Sequence, residues 1–230
     1  MKIEIKRSPN PVPDSLREGY VAEPGFGKYF TDHMVLAEWS QAGGWQDAQV
    51  CPYGPLSLDP ATMVFHYGQE IFEGMKAYSQ PDGSIALFRP DANGLRFAKS
   101  AARITLPELP VSDFVACVEA LVRVDAPWVP KKVGESLYIR PFMIATEVGL
   151  GVRPSNKALF SVIATPAAAY FNAAKAVTVW ISTEYVRAAL GGTGEAKCGG
   201  NYAASLLAQQ QAAEKGCDQV VWLDAKERLG

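Results

Sequence analysis

Between Gly191 and Tyr202 the chain places five glycines in twelve positions around a single lysine, Lys197. Glycine at that density holds backbone close to something else, because a chain without Cβ atoms can approach a partner that other residues would fend off. A phosphate-cradling P-loop needs Gly directly before the lysine and Ser or Thr after it, whereas Lys197 lies between Ala196 and Cys198. Gly192 and Gly194 lack the third glycine of a dinucleotide fingerprint. The residues then leave two readings open. One is a solvated lysine on a surface loop, the ordinary place for that side chain. The other is a Schiff-base nucleophile whose amine is kept reactive by desolvation or by neighbouring cations.

Other chemistry is sparse. His33 and His66 are the only histidines, too few for a His-rich metal site and poor material for a Ser-His or Cys-His pair. Cys51, Cys117, Cys198 and Cys217 are far apart and form no C-x-x-C pair. That spacing suggests neither a zinc site nor a disulfide framework, and it fits a reducing, cytoplasmic setting. Tyr138 and Arg140 alternate around Ile139 in an otherwise apolar run, so on a strand both point to one face.

The elements that must position these groups follow from pattern. The chain has 230 residues, 48% hydrophobic and 20% charged, a globular composition that excludes a disordered or collagen-like chain and suffices for one large domain or two modest ones. Lys plus Arg number 22 against 24 Asp plus Glu, a net charge of -2 with no basic block, which argues against nucleic acid as a partner. The start of the chain lacks a signal peptide's apolar stretch, and no apolar run is long enough to span a membrane. The first fifty or so residues, rich in Pro and Gly, read as a wrapping arm with one strand near Met34 to Trp39. Helical spacing of Tyr67, Ile71 and Met75 predicts a helix over 65–76, followed by a strand at Ile85 to Phe88. Asp91 is the expected N-cap of a helix to Ile104, and Ser112 starts another with Phe114, Val118 and Leu121 on its apolar face. Strands are expected at Ser136 to Thr146 and Leu159 to Thr165. The Ala-rich segment 166–174 reads as an interdomain linker. Beyond it come a strand over 177–183, a helix from Tyr202 to Lys215 stopped by Gly216, and a strand from Gln219 to Leu223. The organisation is therefore an α+β domain over 1–165, the linker, and the start of a second domain over 175–230, too small to bury a core of its own.

Five segments, in order, carry a resemblance. Phe26 to His33, His66 to Tyr78, Leu87 to Pro90 leading to Arg96, Tyr138 to Pro141, and Glu195 to Ser205 together resemble the branched-chain amino acid aminotransferases, pyridoxal-phosphate enzymes of fold type IV. The likeness covers nearly the whole chain. It implies that Lys197 holds pyridoxal 5'-phosphate as a Schiff base and later moves the proton at the substrate's Cα, one amine serving as nucleophile, base and acid. By the same resemblance Tyr202 hydrogen-bonds the cofactor's phenolic oxygen and Arg96 grips its phosphate. Taken as residues alone, Tyr202 is equally a core aromatic at a helix start and Arg96 a solvated helix charge.

The resemblance also places Tyr138 and Arg140 in the substrate pocket, with Arg140 meeting the side-chain carboxylate of glutamate; structural pairing with an acid is the competing use of such an arginine. Phe26, Tyr67, Phe72 and Val152 match the apolar wall for Leu, Ile and Val, Tyr67 coming from the partner subunit of a homodimer. Such a wall separates substrates differing by one methylene by only about 1–3 kcal/mol, so broad acceptance of all three is expected.

The family's acid that pairs with the pyridinium nitrogen is expected just beyond Gly230, so the chain reads as truncated and not competent alone. Two alternatives share the fold type, a D-amino acid aminotransferase and an aminodeoxychorismate lyase. The N-terminal arm and the run Phe72 to Tyr78 argue against both. From a different class stands a noncatalytic truncated module.

Overall fold

The computed structural model describes residues 1–168 and 176–227. The chain opens with strand β1 (Ile3–Ile5), helix α1 (Asp14–Ala22) and three strands, β2 (His33–Ser40), β3 (Gly44–Trp45) and β4 (Ala48–Pro52). A single turn of helix, α2 (Val64–Tyr67), leads to β5 (Glu70–Phe72), β6 (Met75–Ser79) and β7 (Ile85–Leu87). Two fourteen-residue helices follow, α3 (Pro90–Arg103) and α4 (Val111–Val124), and then the long pair β8 (Ser136–Ala145) and β9 (Lys157–Ala167). After the segment not described come β10 (Val179–Ser182), α5 (Gly199–Ala203), α6 (Leu206–Glu214) and β11 (Gln219–Trp222).

Among the described residues nine strands form one sheet whose main path runs β1-β4-β2-β9-β8-β6-β7, with β3 on β2 and β5 on β8. All its pairings but β1 with β4 are antiparallel. One face is sealed by α3 and α4: the rings of Phe97, Phe114 and Phe160 meet with centroids 5.2 to 6.1 Å apart, and Leu137, Ile139 and Met143 of β8 complete the same core. Side chains at alternate positions of β8, Tyr138, Arg140 and Phe142, are only partly buried and point the other way. β10 and β11 form a separate parallel pair, to which α6 is packed. The mixed helix-and-sheet architecture is the expected α+β one. Among the described residues no helix is long and apolar enough to cross a membrane.

Several expectations need correction. The predicted helix over 65–76 ends at Gly68, whose left-handed backbone (φ 57°) caps α2, and the remainder is strand. Ile71 and Met75 do both face the core, but a spacing of four satisfies a strand's period of two as well as a helix's period. Asp91 is not the N-cap of α3: that position is Arg89, with Pro90 at the first helical position and Asp91 in the first turn, where its charge favours the helix dipole. The helix expected from Tyr202 to Lys215 is two pieces, α5 and α6, broken at Ala204 and Ser205.

The N-terminal arm contributes four strands to the sheet where one was expected. It is pinned by a buried polar cluster in which the Ser8 N–H donates to His33 Nε2 at 2.8 Å and His33 Nδ1 meets Asp125 Oδ1 at 2.6 Å. With Nε2 accepting, the proton sits on Nδ1 and points at Asp125. The expected linker over 166–174 falls mostly outside the described residues, and its first two residues, Pro166 and Ala167, still belong to β9.

Candidate active site

The site is built around a break in the sheet. β5 and β6 both pair with β8, β5 opposite Phe142 to Ile144 and β6 opposite Leu137 to Ile139. Between them, Glu73 and Gly74 interrupt the ladder opposite Pro141, whose carbonyl accepts the Glu73 N–H at 2.7 Å. An antiparallel residue presents its N–H and C=O to the same neighbour, so the donor that proline lacks would have pointed into this gap. The sequence thus ends pairing at the break around which the candidate side chains gather.

Alternation along the broken strand sends its side chains to two places. Glu73 turns inward, fully buried, and grips Arg96 of α3 through two hydrogen bonds of 2.6 and 2.7 Å, with Asn93 adding a third at 2.8 Å. Those bonds push the Arg96 guanidinium above its ordinary pKa; burial acts against them, and the nearby charges of Glu73 and Tyr202 act with them. Among the described residues Nη1 of Arg96 has no protein partner, and about half of the side chain is open to solvent. A guanidinium held rigid on one side and free on the other suits a planar or phosphate anion.

Phe72 turns the other way and packs against Tyr202, ring centroids 4.8 Å apart. The Lys197 amine lies over both rings, 4.5 Å from the Phe72 centroid and 4.7 Å from that of Tyr202, and donates a hydrogen bond to the Tyr202 hydroxyl. Lys197 is half-buried, between buried Ala196 and Cys198. Its backbone is tied at both ends: the N–H donates to Ser100 Oγ at 2.9 Å and the carbonyl accepts the Phe72 N–H at 3.0 Å. Ser100 lies one turn beyond Arg96 on the same face of α3.

The glycine-rich stretch is likewise fastened. The buried Asn201 amide donates to the carbonyls of Thr193 and Ala196, both at 2.7 Å, and Arg103 donates to those of Gly191 and Gly192. A solvated loop with a free lysine does not match this arrangement.

On β8, Arg140 donates to the Tyr138 hydroxyl at 2.9 Å and lies 4.7 Å from the Phe72 centroid, so one aromatic ring touches both the lysine and the arginine. Arg140 Nε is buried without a hydrogen-bond partner, and no ion pair to Arg140 exists among the described residues. Phe26 packs edge-on against Tyr138 at 5.1 Å. Lys197, Tyr202, Phe72, Tyr138, Arg140 and Phe26 therefore form one contiguous group, with Arg96 close enough to Tyr202 to feel its charge. Tyr67 and Val152 stand apart from it: the Tyr67 hydroxyl donates to the Leu150 carbonyl, and Val152, in the same loop, is 85% exposed.

Glu73, Ser100, Asn201 and Glu70 escape sequence reasoning. A helical reading of 65–76 hides Glu73 and Glu70, for it is the period-two pattern of a strand that sends Glu73 inward with Ile71 and Met75. Ser100 had a signal, since it stands one turn from Arg96.

The chain matches the family described as amino-transferase class IV over residues 70–229. It is 62% identical over 98% of its length to a probable branched-chain-amino-acid aminotransferase of Streptomyces coelicolor, covering 63% of that protein. It is 59% identical over 99% of its length to the branched-chain-amino-acid aminotransferase of Mycolicibacterium smegmatis, covering 62% of it. The chain thus spans a little under two thirds of the curated relatives it matches. Among solved structures, a T.th. branched-chain amino acid aminotransferase with pyridoxamine 5'-phosphate superposes with a TM-score of 0.66 at 26% identity, over 83% of this chain and 60% of that one.

Proposed function

The chain belongs to the class IV aminotransferases, and from that premise we propose that it serves pyridoxal-5'-phosphate-dependent transamination of the branched-chain L-amino acids Leu, Ile and Val with 2-oxoglutarate. One observation carries the proposal: the Lys197 amine is held on the Tyr202 hydroxyl, against Phe72, by a turn tied to the helix that bears Arg96. The residues fit the cofactor. Lys197 offers the amine for its aldehyde carbon, Tyr202 a hydroxyl for its ring oxygen, and Arg96 an unspent guanidinium edge for its phosphate. When bound, the cofactor supplies the electron sink for a carbanion at the substrate's Cα. The chain's own work is to place the Lys197 amine at that Cα, where it takes and returns the proton, and to keep Phe72 and Phe26 as an apolar lining that excludes water.

Relatives named as branched-chain enzymes at 62% and 59% identity support this substrate class over the D-amino acid aminotransferase and lyase alternatives. The N-terminal α+β domain is proposed to run to the end of β9 at Ala167 and residues 175–230 to begin the cofactor-binding domain, joined by a linker over 168–174. A homodimer is proposed in which the exposed Tyr67 and Val152 complete the partner's pocket, and the cysteine spacing supports a cytoplasmic setting.

Borohydride reduction of the protein incubated with pyridoxal phosphate, followed by peptide mapping, tests the site. Cofactor mass on the peptide containing Lys197 is the expected result, and labelling elsewhere alone would overturn it. The full-length holoenzyme should then transaminate leucine with 2-oxoglutarate and not D-alanine.

A second expectation concerns Gly74. A Cβ there would lie 2.2 Å from the Tyr138 hydroxyl and 3.0 Å from its Cζ. Gly74→Ala must therefore displace the Tyr138 ring and break its hydrogen bond with Arg140. The holoenzyme variant should show a KM for glutamate raised roughly tenfold, the value of one hydrogen bond to a charged group, with the KM for leucine rising less.

A further inference from the structure

We propose that Glu70 is a positioning residue whose carboxylate clamps the turn carrying Lys197, and that position 199 is glycine to admit it. The inference rests on the reading of Lys197 given above. Glu70 shares with Phe72 the face of β5 turned away from the core, and from there its Oε1 accepts the N–H of Gly199, the first residue of α5. The Phe72 N–H holds the Lys197 carbonyl two residues earlier. β5 therefore grips the lysine turn twice, once through its backbone and once through a carboxylate, while Ser100 holds it from α3.

The contact leaves no room for a side chain. A Cβ at Gly199 would stand 1.8 Å from Glu70 Oε1 and 2.9 Å from its Cδ. Any larger residue at 199 must push the carboxylate off its donor. Glu70 is half-buried. Burial pushes its pKa up, while the Gly199 N–H and the charge of Arg140 hold the carboxylate form against that. Both stabilising groups belong to the site, so this acid is built into it.

Because the lysine must reach one carbon atom, a shift of about 1 Å is enough to cost roughly a hundredfold in rate. In the holoenzyme, Glu70→Ala should lower kcat for leucine roughly 10- to 100-fold while KM changes less than about threefold. Glu70→Gln, whose amide oxygen still accepts from Gly199, should restore most of that loss. Gly199→Ala should resemble Glu70→Ala, and the double variant should be no worse than either single one, since both remove the same bond.

Amide exchange in the cofactor-free protein gives an independent readout. The Gly199 N–H should exchange at least about tenfold faster in Glu70→Ala than in wild type or Glu70→Gln. Losses that multiply in the double variant, a Glu70→Gln as damaged as Glu70→Ala, or unchanged Gly199 exchange would each overturn the clamp. Failure of wild-type protein to carry cofactor on Lys197 would instead overturn the site reading and leave the exchange result standing.

Discussion

In the full-length protein, Lys197→Ala is expected to reduce turnover by roughly ten-thousand-fold or more while leaving the protein folded. The magnitude follows from the number of steps that use one amine in the proposed reaction, where Lys197 both takes the cofactor and moves the Cα proton, and proton transfer by a positioned base alone contributes about 10²- to 10⁴-fold. The fold should survive because what Lys197 gives the structure is backbone. Its N–H and carbonyl are held by Ser100 and Phe72, and both bonds remain available to alanine. Among the described residues the side chain contributes a hydrogen bond to Tyr202 and contacts with two rings. Thermal unfolding and far-ultraviolet circular dichroism should match wild type, and added pyridoxal phosphate should give no visible absorbance of a protein-bound imine. Retained turnover within tenfold of wild type would show that another amine does the work.

A lone lysine among five glycines left two readings open, and only the five ordered segments that resemble a family favoured the chemical one. The lysine's surroundings were legible in part. Tyr138 and Arg140 were placed on one face by strand alternation, and the partial burial of that face agrees. What stayed hidden was every partner held across the sheet break. The stretch from Phe65 to Lys76 places Tyr67, Ile71 and Met75 four apart, a spacing that fits two periodicities, and a helical reading scatters Glu70, Phe72 and Glu73 around a cylinder. As a strand the same residues sort into an inward Glu73 for Arg96 and outward Glu70 and Phe72 for the lysine turn. The deciding information lies in Gly68 and Gly74. One ends the helix in a left-handed turn, and the other makes room for Tyr138. Local composition shows a glycine but not what approaches it.

Arg140→Met should separate the two substrates that the proposed reaction asks one pocket to accept. The guanidinium bonds to Tyr138, lies near Phe72, and keeps its Nε buried without a partner, with no ion pair among the described residues. Among the described residues no acid pairs with it, and Glu70 is near enough to feel its charge without bonding to it. A buried donor without a partner is costly unless a ligand satisfies it, and the side-chain carboxylate of glutamate has the charge and geometry to do so. Methionine keeps much of the apolar stem and removes the guanidinium that lies over Phe72. Hydrogen bonds to charged groups are worth about 1.5–3 kcal/mol, so the glutamate half-reaction should lose roughly 10- to 150-fold in kcat/KM. Leucine presents nothing for Arg140 to meet, and its half-reaction should change less than about threefold. Single-turnover measurements on the pyridoxal form of the holoenzyme, one amino acid at a time, keep the two halves apart. Equal losses for both would assign Arg140 to the α-carboxylate they share or to the fold, and the account of dual acceptance would then have to rest on another cation.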